Sequence, residues 1–173
     1  MLKGRSTMWS FLLAVVLVVH SSAAVAALSG EEPYEALQRG DYRLAAGLFY
    51  PLAEKGDARA QYNLGLLYAS GLGVTQDYHA ALKWHRMAAK QGHAGAQNEL
   101  AQMYTNGQGV PQDYVRAYMW YSIAGESLGG GSKLELAKDR EKVASRMTPA
   151  QIEKAQEMAQ RCLESKFQKC DEK

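Results

Sequence analysis

Shifted against itself by 36 residues, the sequence falls back into register, and this repeat limits the possible folds more than anything else in the chain. Ala60-Gln61 meets Ala96-Gln97, Leu64 meets Leu100, and Tyr68 meets Tyr104. Gly71-x-Gly73-Val74 meets Gly107-x-Gly109-Val110, and Gln76-Asp77-Tyr78 meets Gln112-Asp113-Tyr114. Ala81, Trp84 and Ala88 meet Ala117, Trp120 and Ala124. The phase also runs backwards: Asp41-Tyr42, Ala45, Ala53, Gly56 and Ala58 keep step with Asp77-Tyr78, Ala81, Ala89, Gly92 and Ala94.

Each unit reads as two helices. Ala60, Leu64 and Tyr68 recur at spacings of four, one face of a first helix. Gly71 and Gly73 stop it, since glycine adopts the left-handed conformation that closes helices. Asp77 is placed to accept hydrogen bonds from the open amides of a second helix, which carries Ala81, Trp84 and Ala88 on one side and ends before Gly92. Alanines let neighbouring backbones approach closely, and the Trp and Tyr rings fill the remaining space. One pair cannot bury its apolar side alone, so pairs must stack. The expected fold is all-α, an α/α solenoid of stacked antiparallel helix pairs.

The string Leu64-Gly65-x-x-Tyr68…Gly71-x-Gly73-Val74-x-Gln76-Asp77-Tyr78-x-x-Ala81-x-x-Trp84-x-x-x-Ala88 resembles the Sel1-like repeat, a cousin of the tetratricopeptide repeat. The resemblance covers about residues 41–128, with full repeats at about 59–94 and 95–130 and partial units on either side. It departs from the family pattern at Ala101, where glycine is usual, and at Gly129-Gly130-Gly131, where a short inter-helix turn belongs. Pro51 falls inside an otherwise helical stretch and should kink it.

The ends read differently. Residues 1–26 have the grammar of a cleaved signal peptide: Lys3 and Arg5, an apolar run over 11–19, then Ala24-Val25-Ala26. His20, Ser21 and Ser22 interrupt the run well before the roughly 20 apolar residues a membrane span needs. The expectation is therefore a periplasmic or secreted protein with no stable membrane insertion after cleavage. Losing Lys3 and Arg5 takes the formal net charge from +2 to zero, which leaves no basic footprint for nucleic acid. The solenoid then occupies 27–147. A short helix over 33–39 closes it at one end and a capping helix with a tail, 148–173, at the other. Thr148-Pro149-Ala150-Gln151 is a capping box with proline at the first helical position.

The two cysteines, Cys162 and Cys170, are eight positions apart. On one continuous helix they would be roughly 12 Å apart, beyond the reach of about 4.4–6.8 Å for a disulfide. A bridge therefore requires the helix to end near Ser165 and the tail to fold back. The alternative is one buried thiol and one in a frayed tail.

Catalytic patterns fail on context. Gly125-Glu126-Ser127-Leu128-Gly129 fits G-x-S-x-G, but it closes a repeat helix and all four histidines precede it. Some cysteine-rich Sel1-like proteins are associated with β-lactam binding or hydrolysis, which makes a β-lactam- or cell-wall-acting hydrolase the alternative reading. Paired cysteines within each repeat, S-x-x-K and K-T-G are all absent here. His79, His85 and His93 have no metal-ligand spacing and read as surface or boundary residues. No cofactor, metal or catalytic residue is expected.

The family resemblance instead implies a scaffold that holds a partner protein or peptide on a concave face lined by the first helix of each pair. Mapped onto this chain, that face comprises Arg59, Tyr62, Leu66 and Ala69, then Gly95, Asn98, Gln102 and Asn106. Arg59/Gly95, Tyr62/Asn98 and Leu66/Gln102 break the repeat identity while their neighbours keep it. Tyr62 and Arg59 are of the types enriched at interface hot spots. A structural role through weak homo-oligomerisation is the third reading.

Overall fold

The computed structural model describes residues 32–127 and 130–170, with eight helices and no strand among them. The helices are α1 (Pro33–Gln38), α2 (Tyr42–Glu54), α3 (Ala58–Ser70), α4 (Tyr78–Ala89), α5 (Ala94–Asn106), α6 (Tyr114–Ser127), α7 (Gly130–Ala144) and α8 (Pro149–Glu164). Through α7 each helix packs against the next in sequence, whereas α8 docks on α6. This is the expected all-α solenoid. The expected signal peptide, 1–26, lies outside the described residues, as do 27–31, Leu128, Gly129 and 171–173.

The turn inside each pair is built twice with the same bonds. Gly71 and Gly107 close α3 and α5 in the left-handed conformation, at φ 68° and 71°. The amides of Leu72 and Gln108 return to the carbonyls of Leu67 and Met103, at 3.1 and 3.0 Å. Gln76 and Gln112 donate side-chain amides to the carbonyls of Ala69 and Thr105, at 2.8 and 2.7 Å. Asp77 then accepts from the amides of His79 and Ala80, and Asp113 from that of Arg116, opening the second helices.

Reading both glycines of each pair as helix stops holds only for the first. A Cβ on Gly73 would collide with the Tyr42 carbonyl, and one on Gly109 would lie 2.5 Å from the Tyr78 carbonyl oxygen. Tyr42 and Tyr78 begin α2 and α4, so the second glycine is where one unit's loop rests on the backbone of the unit before it. Between units, Gln61 and Gln97 are both buried and donate to the carbonyls of Ala53 and Ala89, at 3.0 and 3.3 Å. Each bond runs from the first turn of a helix to the last turn of the preceding one.

The core follows the repeat. Phe49, Leu64, Leu67 and Trp84 form an N-terminal cluster, and Leu100, Met103, Tyr104, Met119, Trp120 and Ile123 lie within a C-terminal one. Leu136 and Val143 of α7 join the second cluster, as do Ala155, Met158, Ala159 and Cys162 of α8. Pro51 does not end α2, which continues to Glu54 with the proline exposed. At Gly130 the glycine run opens α7.

The capping box of α8 is present: Thr148 Oγ1 accepts from the Gln151 amide, and Gln151 Oε1 accepts from the Thr148 amide. After Ser165 the chain reverses through Lys166 and Phe167, at φ 52° and 68°, and the Phe167 amide donates to the Cys162 carbonyl. The reversal brings Cys170 back to Cys162, and the two form a disulfide with Cα atoms 4.5 Å apart.

Two outcomes follow. Gly109→Ala forces a side chain into both a left-handed backbone and the Tyr78 carbonyl, and should cost about 2–4 kcal/mol, read as a lowered thermal midpoint by circular dichroism. Reducing the disulfide should cost about 2–3 kcal/mol by chain entropy for so short a loop, read as a lower denaturation midpoint with reductant.

Candidate functional site

Side chains that reach from one odd-numbered helix to the next join α1, α3 and α5 into one surface. The Arg59 guanidinium lies 5.1 Å from the centroid of the Tyr34 ring, linking α3 to α1. The Tyr62 ring stacks on His93, the N-cap of α5, with centroids 4.5 Å apart and 28° between planes. A Cβ on Gly95 would approach Tyr62 to 3.1 Å. The repeat identity therefore breaks at Arg59/Gly95 and Tyr62/Asn98 because the first unit's tyrosine overlies the second unit's glycine. These positions are fitted to one another rather than released from packing.

Of the residues assigned from the sequence, Arg59 and Asn106 are exposed. Tyr62, Leu66, Ala69, Gly95, Asn98 and Gln102 are half-buried. Tyr62 is itself packed against the C-terminal core cluster. Burial, and then the charge of Glu99, raise its hydroxyl pKa. Glu99 lies half-buried beside it with its own carboxyl pKa raised by burial, and no cation lies within ion-pair distance of it among the described residues.

Amide side chains divide sharply here. Gln61, Gln97, Gln76, Gln112 and Asn63 all donate to backbone carbonyls of the fold. Asn98, Gln102 and Asn106, spaced four apart along α5, make no such bond among the described residues. The side-chain oxygen of Asn98 is sealed from solvent without a partner, which leaves its NH2 group as the one that can meet a ligand.

His85 corrects the expectation of surface or boundary histidines, for it is wholly buried beneath this surface. Its ring fills the space that a Cβ on Gly65 would need, 2.5 Å from its Cε1, and lies 5.9 Å from the Tyr62 ring. Neither ring nitrogen has a hydrogen-bond partner among the described residues. The sequence held a signal for this: at the 36-residue offset Gly65 meets Ala101 and His85 meets Tyr121, two departures that belong together. Without a Cβ, Gly65 leaves the room that the imidazole occupies.

Gly125, Glu126 and Ser127 lie in the last turn of α6, without the strand-to-helix setting a nucleophile elbow needs, and the rest of that motif is outside the described residues. Among the described residues no group of three His, Cys, Asp or Glu is placed to hold a metal ion, and no helix is long and apolar enough to cross a membrane.

Residues 58–93 and 94–127, which are α3–α4 and α5–α6, each match the Sel1 repeat. The chain carries two Sel1 repeats. Its structure is similar to that of c5321, a protective antigen present in uropathogenic Escherichia coli strains displaying an SLR fold. The TM-score is 0.67 at 30% identity, over 84% of this chain and 30% of that one. A Sel1 repeat protein from Oxalobacter formigenes is 37% identical over 50% of this chain and 34% of that one, with a TM-score of 0.48. The chain thus spans about a third of the length of either structure. No curated protein matches the sequence.

Burial, and then the nearby His93, depress the His85 pKa from 6.5 to about 4. Between these two values the unfolded chain holds a proton that the folded chain refuses. The stability is therefore complete above pH 6.5 and is lost as the pH falls towards 4. The loss should be about 3 kcal/mol at most. His85→Met should leave stability at pH 7 nearly unchanged, since it removes two unpaired buried nitrogens. It should also flatten the acid limb of a plot of denaturation midpoint against pH.

Proposed function

We propose that this Sel1-repeat protein is a non-catalytic adaptor, exported to the periplasm or the medium, which holds an extended segment of another protein on the surface of α1, α3 and α5. The row of uncommitted amides at Asn98, Gln102 and Asn106 carries the reading. Gln61, Asn63, Gln76, Gln97 and Gln112 bond the protein's own backbone, whereas these three lie along one helix at the spacing needed to meet a ligand's peptide groups. Arg59 and Tyr62 supply large contact area beside them, each already held in place by a ring contact, so little side-chain freedom is lost on binding. The half-buried Glu99 adds a negative charge that suits a cation or amide on the ligand. With two full units the face is short, and the contact is modest and transient.

The leader-like segment at 1–26 and the disulfide between Cys162 and Cys170 both support an oxidising, exported location. The likeness to a protective antigen is in keeping with it.

Gln102→Ala combined with Asn106→Ala removes two uncommitted side chains without touching the core. In a pull-down from envelope extract, wild type should retain a protein that this variant loses, at an unchanged thermal midpoint. Identical recovery by both forms would sink the assignment of the face. Recovery of the protein only from the cytoplasmic fraction would sink the export reading.

A further inference from the structure

A cleft built from three separate parts of the solenoid is lined by four cationic side chains and one acid. Its first compartment, of about 420 Å³, is bounded by Arg86 of α4, Tyr104 at the end of α5, and Val110, Pro111, Gln112, Asp113 and Arg116 of the following loop and α6. Its second, of about 340 Å³, shares Asp113 and Arg116 and adds Val115, Lys154, Met158 and Arg161. The two compartments adjoin at Asp113 and Arg116, which line both. Tyr104 and Gln102 are two positions apart on α5, about 200° round the helix. The cleft is therefore distinct from the face carrying the uncommitted amides, and the inference does not depend on that face.

Two of its cations are held in place by the fold. Arg86 donates from Nη2 to the Tyr104 hydroxyl at 2.7 Å, while its Nε is shut off from solvent with no partner. Arg116 is fixed by Asp113 at 2.6 Å and lies 5.9 Å from the centroid of the Tyr104 ring. The one carboxylate lining the cleft among the described residues, Asp113, is thus already paired with Arg116. Lys154 and Arg161 form no ion pair among the described residues. Val110 and Pro111 in one compartment, and Val115 and Met158 in the other, provide apolar surface between the charges.

We propose that this cleft is a second binding surface, which takes an acidic segment of a partner protein in which carboxylates alternate with apolar side chains. One carboxylate meets Arg86 and Arg116, a second meets Lys154 and Arg161, and the apolar side chains cover the floor between them. Fixed guanidinium groups favour planar carboxylates, which accept two parallel hydrogen bonds. Nucleic acid fits less well because its bases need an open ring to stack on. Tyr104, the aromatic residue here, is buried and has committed both its hydroxyl and its ring. A small inorganic anion would leave the apolar floor uncovered. Because Lys154 and Arg161 come from α8, the cleft exists only when the capping helix is docked.

Fluorescence anisotropy tests this with the protein expressed from the full sequence and recovered as the cell processes it. The probe is a short labelled peptide of alternating glutamate and leucine, compared with its glutamine counterpart and a single-stranded oligonucleotide. The acidic peptide should bind at least about tenfold more tightly than either. Lys154→Gln with Arg161→Gln, which removes exposed side chains and leaves helicity intact, should weaken it by about tenfold or more. Gln102→Ala with Asn106→Ala should leave it unchanged. Equal binding of the two peptides, undiminished binding by the Lys154/Arg161 variant, or tighter binding of the oligonucleotide would each overturn the proposal.

Discussion

The structure depends on backbones coming into near contact between successive helix pairs. The loops at Gly73 and Gly109 rest on the first turns of α2 and α4, leaving no room for a Cβ. At the other end of those helices Gln61 and Gln97 reach back to the last-turn carbonyls of Ala53 and Ala89. Each second helix is thus fixed at its start by a steric fit and at its end by a buried hydrogen bond. Translation and rotation between units are set by these two constraints, and the rings of Trp84 and Trp120 fill the space that results. A buried amide left unpaired would cost more than the bond itself contributes, so the glutamines specify register as much as they stabilise it.

The same constraints position the surface available for binding. With α3 and α5 at a fixed separation, Tyr62 overlies Gly95 and stacks on His93, and His85 lies below in space vacated by Gly65. The proposed binding face is therefore supported from beneath by a polar group that the fold keeps buried. Preorganisation of this kind reduces the entropy lost when a partner docks. The charged cleft arises differently, from loop residues of one unit, an arginine of the preceding unit and the capping helix. The Cys162–Cys170 disulfide closes the tail on that same helix and keeps its end defined.

Much of this was legible in the sequence because a repeat lets one segment act as a control for another. Asp77 and Asp113 as caps, Gly71 and Gly107 as helix ends, and the buried tryptophans all recur at the 36-residue offset with the chemistry that explains them. The repeat also hid things. Gly73 and Gly71 look alike in sequence, yet one closes a helix while the other admits a neighbouring backbone. His85 has no apolar character, so its sequence setting points to the surface or a boundary; only its pairing with Gly65 against Tyr121 and Ala101 marks it as core. Arg86 and Lys154 are far apart along the chain, and no local pattern joins them.

By itself the sequence determined the class of fold, the helix ends within the two full repeats and the need to stack, because helix periodicity, glycine conformation and capping act over a few neighbouring residues. Tertiary structure alone decided which exposed side chains share a surface, which amides remain uncommitted, where α8 docks and that the tail turns back to join its cysteines. Those outcomes depend on distances between residues remote in sequence, which are fixed only once the backbones of successive units have come into contact.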